Sequence, residues 1–279
     1  MRSKSIEAKM RTARIAAGLL AALWGLGEAR AGFDATVSPP RFELHARPGE
    51  VVRKVLDITN GAPTVSTYTV KTADWRLAPD GGVVYREGEP AQDSCRRWVR
   101  IERHVVKIAP RQTRHYRFEV HVPPDAPSGE CRFALLIASE AVRVTPLASG
   151  IEIPLVGRIG VIVYVTIGDA KPKLQLVRVR LEDTPEGAMP AFTFRNEGNA
   201  HSRVLGAVEG RDAKGRRVDL VASQDVILPG AERTILLRPV DWSSGQARPS
   251  SIQLIPPIHV RGRLEYQGGG NLEIDHQLP

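Results

Sequence analysis

The segment HYRFEVHV, residues 115–122, sets Tyr116, Phe118, Val120 and Val122 on one side of an extended chain. His115, Arg117, Glu119 and His121 fall on the other. Strict alternation of this kind marks a strand with one buried and one wet face. Working outward, short runs rich in Val, Ile, Tyr, Phe and Thr predict further strands at 35–45, 51–59, 66–77, 97–101, 104–108, 131–140 and 151–167. Pro48-Gly49, Asn60-Gly61, Asp80-Gly81-Gly82 and Pro127-Ser128-Gly129 mark turns between them. About seven or eight short strands in roughly 135 residues fit an immunoglobulin-like β-sandwich.

The texture breaks at GDAKP, 168–172, where polar residues, Gly and Pro signal a linker. It then resumes, with strands predicted near 173–182, 190–195, 202–211, 216–221, 232–238, 251–255 and 258–266. Two echoes connect the halves. A strand running into an Asn turn occurs as ITNGAP (58–63) and FRNEGNA (194–200), and a Pro precedes a strand at 110–122 and again at 229–238. The expected fold is all-β, two immunoglobulin-like sandwiches over 32–168 and 169–279.

Residues 1–31 read differently. Arg2, Lys4, Lys9, Arg11 and Arg14 precede an apolar run from Ile15 to Gly27, and Ala29-Arg30-Ala31 follows. A basic start, a short apolar middle and a small-x-small end describe a secretory signal peptide cleaved after Ala31. An uncleaved anchor is the rival reading, but the run is about 13 residues against the roughly 20 a spanning helix needs. Among later stretches, IGVIVYVTI (159–167) comes nearest to a span, and its length and branched residues suit a strand. Six of the 39 basic and two of the 31 acidic residues lie in 1–31, which leaves 33 against 29. That slight excess, without basic runs, gives no reason to expect a nucleic-acid partner.

Cys95 and Cys131 are the two cysteines. In an oxidising compartment an even pair suggests one disulfide, worth roughly 3–4 kcal/mol for a loop of this length. Metal binding is the rival, and two Cys with no CxxC spacing and no adjacent His make a poor site. No HExxH, GxSxG, SxxK or P-loop signature occurs. His115 and His121 read as surface residues, and Glu182, Asp183 and Asp74 as solvent-facing carboxylates. The expectation is a non-enzymatic protein with no cofactor and no metal, one that binds by shape or strand pairing.

Three segments resemble the periplasmic chaperones of the chaperone–usher pathway, the PapD-like family that escorts pilus subunits. VSPPRFEL (37–44) is similar to their opening strand, with Arg41 at the position of a basic residue. The strand near 51–60 with its Asn turn, followed by Tyr68 and Trp75, is similar to their early core strands. GIEIPLVGRIGVIVYV (150–165) is similar to the last strand of their first domain. The resemblance implies that Ile151, Ile153 and Leu155 are donated to a subunit whose own sandwich lacks a strand, a mode of β-augmentation. It implies that Arg41 and Arg158 anchor the subunit's C-terminal carboxylate. The implied partners are pilus or fimbrial subunits and an outer-membrane usher, and the implied compartment is the periplasm. The chain departs from the family in carrying Arg158 where Lys is typical, in Pro154 within the donor segment, and in its cysteine pair. The competing reading is a secreted structural, adhesive or scaffold module. There the three apolar side chains lie inside their own domain, and the two Arg are far apart or exposed.

Overall fold

The computed structural model describes residues 34–78, 81–139, 143–146, 152–155, 157–242 and 245–279. The expected signal peptide and Ile151 lie outside these, as do the side chains of 143–146 and 152–155. No helix among the described residues is long and apolar enough to cross a membrane.

The first half is built from β1 (Ala35–Ser38), β2 (Arg41–Ala46), β3 (Val51–Asn60), β4 (Ser66–Leu77), β5 (Val83–Arg86), β6 (Val99–Ile101), β7 (Val105–Ile108), β8 (Thr113–His121), β9 (Gly129–Ser139), β10 (Arg143–Pro146), β11 (Glu152–Leu155) and β12 (Arg158–Ile167). One sheet runs β1-β3-β8-β6. The other runs β2-β12-β9-β4-β5, with β7 also on β4. Between them lie Tyr116, Phe118 and Val120 of β8, together with Leu56, Ile58, Phe133, Leu135, Val163 and Val165. Phe118 meets Phe42 and Phe133 edge-on, with ring centroids 5.1 and 6.2 Å apart. The cysteines form one disulfide, with Cα atoms 5.4 Å apart, that ties the 3-10 turn Arg96–Trp98 to β9.

Two predicted strands are divided. The stretch 35–45 breaks at Pro39-Pro40: β1 pairs antiparallel with β3, and β2 pairs parallel with β12. Prolines lack the N–H a ladder needs, so the chain changes sheets there. The stretch 151–167 also divides. β12 lies in the six-stranded sheet, whereas β11 pairs only with β10 among the described residues. Arg158 faces Ala138 and Leu155 faces Arg143, so the hairpin continues outward with its register offset by two residues.

The second half holds β13 (Leu174–Thr184), β14 (Gly187–Asn196), β15 (Val204–Leu205), β16 (Ala207–Arg211), β17 (Arg217–Ala222), β18 (Glu232–Asp241), β19 (Arg248–Pro249), β20 (Ile258–Tyr266) and β21 (Gly270–Leu278). β18 serves two sheets. Glu232–Leu236 pairs with β14, and Leu237–Val240 pairs with β17. The core between them includes Phe192, Phe194, Leu220, Ile235, Ile258 and Val260. Residues 251–255, expected as a strand, have no ladder, and β21 was not anticipated.

The echo between the halves is structural. Asn60 and Asn196 are both fully buried. Each accepts an N–H two residues ahead, from Ala62 or Gly198, and each donates to the carbonyl four residues ahead, of Thr64 or Ala200. Asn60 also reaches Ile108 O and accepts from Tyr68 Oη, and Asn196 also reaches Ile227 O and accepts from Lys173 N–H. A buried carboxamide thus closes the same turn in both halves. Leaving its carbonyl and N–H partners unpaired costs about 1–3 kcal/mol each. Asn60→Ala and Asn196→Ala are therefore expected to destabilise the protein by more than about 2 kcal/mol each, measured by urea unfolding. Losses below about 0.5 kcal/mol would show that water replaces the side chains.

Candidate functional site: the cleft between the sandwiches

The six-stranded sheet is apolar on both faces. Its outer face carries Ala73 and Trp75 of β4, Ala134 and Leu136 of β9, and Tyr164 of β12, all buried. Trp75 and Tyr164 meet edge-on at 5.5 Å. Val226 and Leu228, from the β17–β18 connection, pack against this cluster. The second sandwich thus covers the back of the first, and Trp75 belongs to this junction rather than to the first core.

Polar groups ring the junction. His201 stacks on Tyr164, ring centroids 3.8 Å apart. Its Nδ1 lies 2.5 Å from Glu130 Oε2, and its backbone N–H donates to the same oxygen at 2.9 Å. Arg203 Nη1 donates to Glu43 Oε1 at 3.0 Å and to Gln267 Oε1 at 3.1 Å, and lies 3.3 Å from His201 Nε2. Gln267 Nε2 donates to Glu43 Oε2 at 2.5 Å. Glu130 is the acceptor facing Nδ1, and an arginine N–H faces Nε2. The linker is held on both sides. Gly168 N–H donates to Ala46 O, Ser128 Oγ donates to Asp169, and Lys171 N–H donates to Asn199 Oδ1. At Gly198 a Cβ would come within 2.3 Å of Lys171 O, so only glycine permits this approach.

Arg41 stands at the mouth of the cleft, half exposed, with Nε 3.0 Å from Glu43 Oε1. Arg41 and Arg203 therefore converge on one carboxylate. Arg158, also half exposed, pairs with Glu87 at 2.9 Å. Arg41 is the register partner of Ile162, four residues or about 13 Å of strand beyond Arg158. The two sequence-predicted anchors thus hold separate carboxylates, and the structure does not bring their heads together. Asp74, expected to face solvent, is buried, accepting from Ala91 N–H at 2.8 Å and from Arg96 Nη1 at 3.4 Å. His115 and His121 lie on the outer face as expected, beside Asp57 and Glu119.

Burial works against the Glu43 charge, but the Gln267 hydrogen bond and the Arg203, His201 and Arg41 charges outweigh it and hold its carboxyl below the ordinary 4.5. Burial pushes the Tyr164 phenol up to about 12, so it stays neutral. Sequence reasoning missed Glu43, Glu130, Tyr164, His201, Arg203 and Gln267. Glu43 and Gln267 are 224 positions apart, and no spacing rule connects them.

No protein-family model and no curated protein sequence matches the chain. Among solved structures it is similar to the Pseudomonas aeruginosa CupB2 chaperone, at 14% identity and a TM-score of 0.45, covering 88% of this chain and 100% of that one. It is similar to the Salmonella enterica SafA pilin in complex with the SafB chaperone, at 12% identity and a TM-score of 0.42, covering 90% and 97%. The E. coli chaperone DraB matches at 10% identity and a TM-score of 0.40, covering 87% and 96%.

A carboxylate held below its unfolded value contributes stability that is complete above the unfolded pKa and is lost as pH falls through the folded one. Glu43→Gln is thus expected to cost roughly 1–2 kcal/mol at pH 7, with the deficit relative to the unsubstituted protein shrinking as pH drops below about 4. Urea midpoints at pH 7 and pH 3 check this. A deficit unchanged between the two pH values would contradict it.

Proposed function

We propose that the chain is a periplasmic chaperone, exported by the leader over 1–31, that binds pilus or fimbrial subunits and hands them to an outer-membrane usher. The observation that carries this reading is the outer edge of the consecutive strands β11 and β12. β2 pairs with β12 only from Ile162 onward, so no described strand pairs with that edge of residues 158–161. Among the described residues β11 likewise has no partner on the side away from β10. In an antiparallel ladder alternate residues turn their N–H and C=O groups away from the partner, so this edge offers a row of free backbone groups. A subunit lacking one strand needs such an edge, together with apolar side chains to fill its groove.

In this reading Ile153 and Leu155, with Ile151 before them, are the donated side chains, each contributing roughly 1.5–3 kcal/mol on burial. Arg41 takes the subunit's terminal carboxylate, and Glu43 is the internal carboxylate it replaces. Arg203 is close enough to Glu43 to strengthen the same anion site. Arg158 lies along the open edge, where an incoming strand would pass. The exchange needs no nucleotide or other cofactor.

Co-purification tests the proposal. Expressed in a periplasm with subunits encoded nearby, the unsubstituted protein is expected to yield a one-to-one complex. Arg41→Ala should lose that complex at least tenfold, and the Arg41→Ala, Arg158→Ala pair entirely. Failure of any subunit to co-purify, or equal yield from the double variant, would hand the lead to a structural module that donates no strand.

A further inference from the structure

β12 carries a glycine in the stretch that β2 leaves unpaired. The backbone of Gly160 does not take a positive φ, so conformation is not what requires glycine there. A Cβ at this position would collide with the phenol oxygen and ring carbons of Tyr85, from β5. A glycine inside a strand marks a close approach by another group. Here that group is an aromatic ring lying directly on the β12 backbone.

The contact is one of a pair in register. Residues 158, 160 and 162 share the outer face of β12, since Val161 points into the core of the first sandwich. Tyr85 meets Gly160, and two residues further on Glu87 meets Arg158, Oε1 to Nη1 at 2.9 Å. Ile162 packs into the same outer cluster as Tyr85. The chain from Tyr85 to Glu87 therefore runs antiparallel across the face of β12, over the residues whose edge is open. Its course is fixed by Arg96, which donates to Glu87 O at 3.1 Å and to Gly88 O at 2.7 Å and is itself paired with Asp74. Arg96 follows Cys95, which the disulfide joins to Cys131 of β9.

Exposed ion pairs add little, and the Glu87 and Arg158 side chains are 36% and 49% exposed, so the ring is the stronger hold. Residues 158–161 need one. They have a ladder on one side only, a glycine within a strand weakens it, and segments so placed open locally. We propose that Tyr85 is a positioning residue for the open edge of β12. By covering Gly160 it keeps residues 158–161 extended, so that an incoming strand meets an edge already formed. An edge that had to be ordered on binding would subtract that entropy from the affinity. That a strand enters there rests on the proposed function; the hold of Tyr85 on the edge does not.

Residue-resolved amide exchange in the free protein tests the hold. Tyr85→Ala is expected to speed exchange at least tenfold at those amides of 158–161 that bond to β9. Amides of 163–167, which lie between β9 and β2, should be unchanged. Tyr85→Phe, which keeps the ring, should exchange like the unsubstituted protein. Gly160→Ala should speed the same amides, because its methyl displaces the ring, and should add nothing in the Tyr85→Ala background. Unchanged rates in Tyr85→Ala, equal acceleration along all of β12, or additive effects of the two substitutions would overturn the proposal. A subunit that co-purifies with the chain reads the consequence. Tyr85→Ala is expected to weaken its binding at least tenfold, and undiminished binding overturns the positioning role. Absence of any bound subunit contradicts the proposed function instead, and the exchange result alone then decides whether Tyr85 holds the edge.

Discussion

Three adjacent strands, β4, β9 and β12, are apolar on both faces, and the rest of the molecule follows from that. Phe133, Leu135 and Ile137 of β9 point into the first sandwich, while Ala134 and Leu136 point out of it. β12 does the same with Val161, Val163 and Val165 inward and Ile162 and Tyr164 outward. A sheet of this composition is not satisfied by a single partner sheet. The second sandwich supplies the other cover, and burial of each large apolar side chain at roughly 1.5–3 kcal/mol holds it there. Apolar burial has no preferred direction. The polar set of Glu43, Glu130, His201, Arg203 and Gln267 supplies one, because charge-assisted hydrogen bonds require a particular geometry.

That arrangement explains why the cleft has two unlike sides. On the β2 side, guanidinium groups from both sandwiches meet at Glu43. On the β4 side, Asp74 pairs with Arg96 and Arg132 with Asp93. The open strand edge runs away from both. In the proposed function, one rigid junction would present an anion site beside an unpaired strand edge, so a subunit's end and its missing strand are met together.

The sequence was legible where one side of a strand faces water. β8 follows its alternation residue by residue, and the Asn turn repeated in both halves was visible as an echo, though not the burial of its side chain. β21 was legible in principle, since Leu272 and Ile274 are buried and Glu273 and Asp275 exposed, but acidic residues between sparse apolar ones gave a weak signal. The change of sheet between β1 and β2 follows from two consecutive prolines. The division of 151–167 is less visible, because a run of Val and Ile buried on both faces shows no period to interrupt. The polar junction was not legible. Its members come from β2, β9 and the loops after β14 and β20, and their proximity exists only once both sandwiches have folded against each other.

The central claim is that the edge of β11–β12 waits for a partner strand. Amide hydrogen exchange across residues 152–161, with and without a candidate subunit, tests it most directly. The account predicts fast exchange at alternate amides of Arg158–Val161 in the free protein and strong protection of those amides in the complex. Amides already protected in the free protein, or unchanged when a subunit is bound, would contradict it.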